Sequence, residues 1–326
     1  MDKKVKYYMA PLESVTTWIY RQAHAKIYGR LDKYFIPFLE PHEKRDFKTR
    51  ELQEILPEHN ENIYAVPQIL TNRSEGFIKL AKALKDWGYE EINLNLGCPS
   101  KTVVTKGKGS GFLAKPEELE RFLTEIFDAL SGEVKISVKT RIGKEDPEEF
   151  PALLELFNKY PMEELIIHPR VQKDGYGNVP RLELYELAEK QSVNPLCYNG
   201  NLYTREQIRN FAERFPGTER LMLGRGFLRD PGLLYNEGKD SKDIFEKFWA
   251  FHDLVYEGYQ ERNMGDRNVL FKMKEMWTYL ICMFPEADRY GKKIKKAKSA
   301  GEYEAAVAAL FREREPAPQA GYRAAL

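Results

Sequence analysis

The 326-residue chain is long enough for one large domain of about 240 residues and a second, smaller one. Hydrophobic residues make up 42% and charged residues 31%, a balance that excludes a disordered or fibrous protein. The 51 basic and 50 acidic residues leave a net charge of +1. A nucleic-acid partner would therefore have to bind a local basic patch, because the whole molecule provides no attracting field.

The N-terminal sequence lacks the apolar segment of a signal peptide, and no run approaches the about 18 apolar residues of a membrane-spanning helix. The cysteines, Cys98, Cys197 and Cys282, lie far apart and form no CxxC pair, which predicts reduced thiols and no zinc site. The five histidines fall in no metal-binding motif. We therefore expect a soluble cytoplasmic protein without a bound metal and, since nothing requires a second copy, a monomer.

Short β-rich runs alternate with amphipathic helical segments along the first 238 residues. The eight candidate strands are 5–10, 34–39, 63–69, 91–96, 134–139, 163–168, 194–198 and 219–224. Helical spacing of apolar residues follows, as in 75–87, and other helices are expected to begin near Pro116, Pro147, Thr204 and Asp230. This α/β order predicts a closed (β/α)8 TIM barrel, with an open doubly wound sheet as the alternative.

Beyond residue 238 the strand signals stop and apolar residues recur at helical spacing, with helices expected at about 266–284, 286–298 and 301–312. We predict a catalytic barrel over 1–238, a small C-terminal helical bundle over 239–312 and a disordered tail over 313–326. Lysines are dense in 292–298. Lys292, Lys293, Lys295 and Lys296 are as consistent with a solvated helix face as with a surface that grips RNA phosphates.

In a TIM barrel the functional site lies at the C-terminal ends of the strands, here called the barrel mouth. The polar or turn-forming residues at these ends are Pro11, Gln68, Asn95, Lys139, Arg141, His168, Arg170, Asn199, Gly200, Asn201, Gly224 and Arg225. The loops after the seventh and eighth strands are the expected phosphate site, because glycines let backbone amides approach an anion. Lys139 would suit the electron-rich ring of a flavin, and a solvent-exposed lysine is the alternative.

Cys98 follows a strand in a Gly-Cys-Pro turn, which places it at the barrel mouth. A thiol with an ordinary pKa near ~8.5 is mostly protonated at neutral pH and is able to donate a proton. The alternative role of nucleophile requires a nearby histidine as base. The glycine-rich segment 107–111 lacks the strand and helix of a phosphate loop, and we expect it to be a mobile loop over the site.

The segment Asn95-Leu96-Gly97-Cys98-Pro99-Ser100, followed by the glycines of 107–111, resembles the signature of the tRNA-dihydrouridine synthase family. The resemblance extends over nearly the whole chain. It implies an FMN enzyme that uses NADPH to reduce a uridine flipped out of tRNA. In that mechanism a hydride reaches C6 of the uracil and Cys98 protonates C5.

The resemblance also assigns expected contacts. Pro11, Gln68, Lys139 and His168 are expected to contact FMN, with Asn199, Gly200, Asn201, Gly224 and Arg225 around its phosphate. The expected substrate contacts are Asn95, Arg141, Arg170, Lys292, Lys293, Lys295 and Lys296. Leu12 and Pro169 depart from the family pattern, and Pro169 removes a backbone donor from its loop. The alternatives are an FMN reductase of a small molecule and a non-catalytic RNA-binding protein.

Overall fold

A computed structural model describes residues 5–43, 46–175, 177–262 and 265–318 of the chain. Eight parallel strands follow one another around a closed barrel, which confirms the TIM barrel and excludes the open sheet. The strands are β1 Lys6–Met9, β2 Lys33–Leu39, β3 Ala65–Ile69, β4 Glu91–Leu96, β5 Lys135–Arg141, β6 Leu165–His168, β7 Leu196–Tyr198 and β8 Arg220–Leu223. All eight predicted strands are present, with ends that shift by a few residues.

Helices separate the strands and continue after the last one. They are α1 Trp18–Tyr28, α2 Thr49–Ile55, α3 Ser74–Asp86, α4 Lys101–Val104, α5 Pro116–Leu130, α6 Phe150–Phe157, α7 Leu182–Gln191, α8 Arg205–Arg214, α9 Arg225–Arg229, α10 Ser241–Glu261, α11 Asp266–Leu280, α12 Asp288–Lys296 and α13 Ala300–Glu313. The helix expected to begin near Asp230 is wrong, because α9 ends at Arg229 and Pro231 and Gly232 then turn the chain.

Side chains that alternate along the strands fill the interior of the barrel. The buried apolar cluster is Tyr8, Ala10, Phe35, Val66, Ile166, Cys197 and Met222. Strands β3, β4 and β5 also carry a polar layer, in which Gln68 pairs in register with Asn93, and Asn93 with Ser137. Two residues further along, Asn95 pairs with Lys139. The register therefore stacks one polar layer directly beneath another at the barrel mouth.

The chain divides into two compact units. The first comprises Met1–Pro11, Asp32–Asn201 and Arg214–Met222, and it holds most of the barrel. The second comprises Leu12–Leu31, Leu202–Glu213 and Leu223–Leu326. Within the second unit α1 packs against α10, where the ring centroids of Tyr20 and Phe251 are 5.1 Å apart. The packing units thus alternate along the chain, whereas composition changes once, near residue 238.

The end of the described chain packs against the C-terminal helices. Arg289 forms an ion pair of 2.8 Å with Glu313, the last residue of α13, and the amide of Ala317 donates to the carbonyl of Met283. Residues 319–326 of the predicted tail lie outside the described residues. Within the described ranges, none of the helices combines the length and the apolar character needed to cross a membrane.

Candidate active site

The turn that carries Cys98 is fixed by hydrogen bonds from two directions. The Oδ1 atom of Asn95 accepts the amide protons of Gly97 at 3.0 Å and of Cys98 at 2.9 Å. On the other side the Cys98 carbonyl accepts from the amide of Ser110 at 3.1 Å and from its hydroxyl at 2.7 Å. The residue itself is half-buried. The structure therefore presents the Cys98 thiol at the barrel mouth on a defined backbone.

The segment 107–111 does not form the loop over the site that the sequence led us to expect. Gly109–Ala114 form a 3-10 helix, and its first five residues are buried. A Cβ atom on Gly109, which has a φ of +55°, would lie 2.8 Å from the Cys98 carbonyl oxygen. A Cβ on Gly111 would lie 2.7 Å from the Val104 carbonyl oxygen. These glycines serve close backbone packing beneath Cys98, and Ser110 between them is a site residue that sequence reasoning missed.

Arg141 joins two loops through three of their backbone carbonyls. Its Nε donates to Gly97 at 3.0 Å, its Nη1 to Val171 at 2.8 Å and its Nη2 to Gly175 at 2.9 Å. The side chain is buried. A guanidinium group held in this way fixes the loops that follow β4 and β6. Its predicted contact with the substrate stays a prediction.

Lys139 presents a cation at the mouth, beside the Cys98 turn. It pairs in register with Asn95, and its side chain is half-buried. Among the described residues it has no hydrogen bond or ion-pair partner. Burial, followed by the positive charge of Arg141, lowers the pKa of Lys139 to about 8, against the opposing influence of Cys197 and Cys98. Such a group is suited to stabilising an electron-rich or anionic ligand.

His168 and Arg170 form a buried pair at the end of β6. The Nη1 atom of Arg170 lies 2.7 Å from Nε2 of His168, and Nε of Arg170 donates to the carbonyl of Asn178. Arginine only donates, so Nε2 must accept, which places the imidazole proton on Nδ1. The pair therefore favours a neutral His168 that donates through Nδ1. Arg170 is 0% exposed, so its guanidinium is not on the surface in this conformation.

Two other predicted contacts are hydrogen-bonded to each other in the barrel interior. Gln68 and Asn95 are both buried, and the Nδ2 atom of Asn95 donates to Oε1 of Gln68 at 2.6 Å. Pro11 is half-buried just beyond β1. The predicted flavin contact of Gln68 and uracil contact of Asn95 stay predictions.

The loop after β7 is tied to β8. The Nδ2 atom of Asn199 donates to the carbonyl of Met222 at 2.8 Å. A Cβ on Gly200 would lie 2.0 Å from the hydroxyl oxygen of Tyr198, so no other residue fits there without displacing that ring. Gly200 and Asn201 are half-buried. This glycine therefore serves the close packing of Tyr198, and the loop is partly accessible at the mouth.

The residues after β8 belong to the second compact unit. Gly224 and Arg225 are half-buried, and the Arg225 guanidinium lies over the ring of Tyr203 at 5.4 Å from its centroid. A Cβ on Gly226 would lie 2.4 Å from the Leu202 carbonyl oxygen, so this glycine serves close packing inside the unit. Arg225 combines a defined position with partial access to solvent.

The four predicted RNA contacts lie on α12. Lys292, Lys293, Lys295 and Lys296 are all exposed, whereas Ile294 on the same helix is buried. In the part of the chain that the structure describes, none of these lysines forms an ion pair. The helix therefore presents an uncompensated basic face, called here the α12 lysine face.

The comparisons with known proteins identify the family of the chain and support its fold. The sequence profile of the dihydrouridine synthase (Dus) family matches residues 8–315. The chain belongs to this family. A "Probable tRNA-dihydrouridine synthase 2" from Bacillus subtilis is 28% identical over 261 residues, covering 76% of this chain and 77% of that protein. A "Probable tRNA-dihydrouridine synthase" from Staphylococcus epidermidis is 28% identical over 269 residues, covering 78% and 79%.

Similar solved structures share the fold of this dihydrouridine synthase family member. A 2-naphthoyl-CoA reductase aligns over 73% of this chain and 51% of its own, with a TM-score of 0.57 and 10% identity. A morphinone reductase aligns over 71% and 85%, with a TM-score of 0.51 and 11% identity. At such identities the likeness concerns the TIM barrel alone. The family match confirms the predicted oxidoreductase class.

Proposed function

We propose that the protein reduces a uridine of tRNA to 5,6-dihydrouridine, with FMN as the bound cofactor and NADPH as the reductant. The observation that carries the proposal is the fixed Cys98 turn at the barrel mouth beside Lys139, a cation that has no hydrogen-bond or ion-pair partner among the described residues. The relatives named as tRNA-dihydrouridine synthases support tRNA as the substrate.

The residues at the mouth fit a flavin. Lys139 offers a positive charge that no described residue pairs with, and Gly200 and Asn201 are only half-buried after β7. We propose that Pro11, Gln68, Lys139 and His168 contact the ring and ribityl chain, and that the phosphate is held by Asn199, Gly200, Asn201, Gly224 and Arg225. Bound FMN would supply the hydride that C6 of the uracil receives.

Cys98 would then complete the reaction by giving its thiol proton to C5 of the uracil. The C5–C6 double bond would gain a hydride at C6 and a proton at C5, and the resulting thiolate would take a proton from water. Because Asn95 and Ser110 hold both sides of the Cys98 backbone, the thiol needs little reorganisation to reach C5. Asn95 would contact the uracil only through an edge that its three hydrogen bonds leave open.

The α12 lysine face is the proposed RNA-binding surface. Its four lysines are exposed and lack ion-pair partners among the described residues, as phosphate contacts require. With a net charge of only +1, binding has to rely on such a local patch. The hydrogen bonds of Arg141 and Arg170 favour a role in holding loops at the mouth, with any substrate contact arising through those loops. We further propose a cytoplasmic monomer.

The test is a direct assay. Purified protein is incubated with NADPH and unmodified tRNA, and dihydrouridine is quantified by nucleoside mass spectrometry. We expect dihydrouridine that requires both NADPH and tRNA. Protein that holds FMN and oxidises NADPH, yet forms no dihydrouridine in any tRNA while reducing a small enone or pyrimidine, would contradict the proposal.

A further inference from the structure

We infer that Asn93 and Ser137, two buried residues inside the barrel, are positioning residues for Cys98. They act through a chain of hydrogen-bonded side chains, the Ser137 hydroxyl followed by the amides of Asn93, Gln68 and Asn95, called here the amide chain. The inference rests on the proposed function, in which Cys98 donates a proton to the substrate. It assigns a task to two residues that are not among the proposed substrate or cofactor contacts.

The direction of every hydrogen bond in the amide chain follows from the bonds that Asn95 makes with the Cys98 turn. Backbone N–H groups only donate, so the Asn95 atom that receives Gly97 and Cys98 must be the amide oxygen. The Nδ2 atom of Asn95 must then donate, and it lies 2.6 Å from Oε1 of Gln68. The amide orientations of Asn95 and Gln68 are thereby coupled to the position of the Cys98 turn.

The remaining hydrogen bonds of the amide chain run across the strands from Gln68, and their directions follow in the same way. The Nε2 atom of Gln68 donates to Oδ1 of Asn93 at 2.8 Å, and Nδ2 of Asn93 donates to the hydroxyl of Ser137 at 2.9 Å. Strand register explains why these residues meet, since Gln68, Asn93 and Ser137 are direct neighbours across β3, β4 and β5. Each amide therefore has a single orientation that satisfies its neighbours.

Burial makes the chain hard to rearrange. Gln68, Asn93 and Ser137 are at most 1% exposed, so water cannot replace a lost partner from the surface. Without an acceptor at residue 93, Nε2 of Gln68 would be buried without its partner, and the Gln68 side chain would shift from its present position. Asn95, which donates to Oε1 of Gln68, would shift with it, and its Oδ1 would move away from the Gly97 and Cys98 amides. The expected result is a displaced Cys98 turn.

The experiment compares Asn93→Leu with Asn93→Asp and Asn194→Leu. Leucine removes the acceptor at similar volume, whereas aspartate still accepts from Gln68 and from the Ser137 hydroxyl. Asn194 is the matched control, because it is a buried asparagine with two hydrogen bonds to backbone groups near the opposite end of the strands. Asn194→Leu should disturb packing about as much as Asn93→Leu does, but it leaves the amide chain intact.

Two readouts do not depend on turnover. Hydrogen exchange measures the protection of the Gly97 and Cys98 amides. Alkylation followed by peptide mass spectrometry measures the reactivity of the Cys98 thiol, with half-buried Cys282 as the internal reference. In Asn93→Leu we expect these amides to exchange about tenfold faster, with a changed Cys98 to Cys282 alkylation ratio. Dihydrouridine formation should fall on the order of 10²-fold while FMN reduction by NADPH is retained. Asn93→Asp and Asn194→Leu should stay near wild type.

Unchanged exchange at Gly97 and Cys98 in Asn93→Leu would overturn the inference, as would faster exchange with full dihydrouridine formation. If Asn93→Leu fails to fold, Ser137→Ala replaces it, with the same signs and smaller effects expected and the same results overturning the inference. Should the wild type form no dihydrouridine, the proposed function fails. Exchange and alkylation still show in that case whether Asn93 controls the Cys98 turn.

Discussion

The two ends of the barrel interior each carry a lysine, and they treat it in opposite ways. At the N-terminal end, Lys33 forms ion pairs with Glu91 at 2.6 Å and with Glu164, and these two carboxylate side chains are 0% and 1% exposed. At the C-terminal end, Lys139 is half-buried, and no carboxylate of the described chain pairs with it. We call the N-terminal end closed, because its lysine has carboxylate partners. We call the C-terminal end open, because its lysine has none within the described chain.

The difference appears in the pKa values of the two lysines. Burial alone would lower the pKa of Lys33, but Glu164 and Glu91 raise it above its ordinary value. Burial and Arg141 instead lower the pKa of Lys139 to about 8. A charge whose partners are all inside the protein contributes to stability, whereas one without partners is available to a ligand. The contrast fits our proposal, in which the N-terminal end supports the fold and the mouth carries the chemistry.

The largest effect expected at the mouth is that of Cys98→Ala. Loss of the proton donor should slow flavin oxidation by tRNA by roughly 10²–10⁴-fold, while flavin reduction by NADPH is unchanged. Rapid-mixing absorbance measurements separate the two half-reactions, and Cys282→Ala serves as a control outside the site. If Cys98→Ala instead loses its flavin, the role given to Cys98 is wrong.

At the closed end, Lys33→Met should destabilise the protein by about 3–5 kcal/mol, because it leaves Glu91 and Glu164 buried without their lysine. Urea unfolding measures the effect. The matched control is Lys135→Met, whose partner is Glu163 and whose side chain is 54% exposed. That change should cost less than about 1 kcal/mol. Equal effects of the two substitutions would remove the distinction between the ends.

At the open end, we expect the affinity for FMN to depend on pH through Lys139. In the flavin-free protein Lys139 is protonated below its pKa of about 8 and neutral above it. If FMN prefers the cation, affinity falls as pH rises through that value, by up to about tenfold per pH unit. Fluorescence titration measures this. Lys139→Arg should bind FMN independently of pH in the same range, and a flat wild-type profile would count against a contact between Lys139 and the flavin.

The smallest effect concerns the α12 lysine face, which lies outside the barrel. Changing its four lysines to glutamine should weaken tRNA binding and reduce the slope of log affinity against log salt by about 0.7–0.9 for each phosphate that is no longer neutralised. Filter binding over a salt series gives this slope. The control changes four exposed lysines of the barrel helices, Lys79, Lys82, Lys85 and Lys190. An unchanged slope on α12 would identify its lysines as a solvated face.

The sequence predicted the barrel well, because apolar strands and helical spacing are local signals. It also predicted that Cys98 and Lys139 lie at the mouth, since both directly follow or end strands. It did not predict the partners of Arg141, which are the carbonyls of residue 97 in the loop after β4 and of residues 171 and 175 in the loop after β6. In the sequence, a charged residue at a strand end that binds a ligand cannot be distinguished from one that binds a loop.

Asn93 and Ser137 were equally out of reach of sequence reasoning. A polar residue inside an apolar strand gives no sign of which neighbour it bonds, and amide orientation depends on strand register. The grouping of α1 with the C-terminal helices in the second unit is a further long-range result, visible in the packing of Tyr20 against Phe251. Composition detects a change along the chain, but it does not detect packing between distant segments.

The most direct test of the division between the two ends is dihydrouridine formed per folded enzyme, measured in tRNA for wild type, Cys98→Ala and Lys33→Met. The folded fraction of each is taken from its unfolding curve. We predict that Lys33→Met keeps wild-type product per folded molecule and that Cys98→Ala loses nearly all of it. Loss of product in folded Lys33→Met, or its retention in Cys98→Ala, would contradict the account.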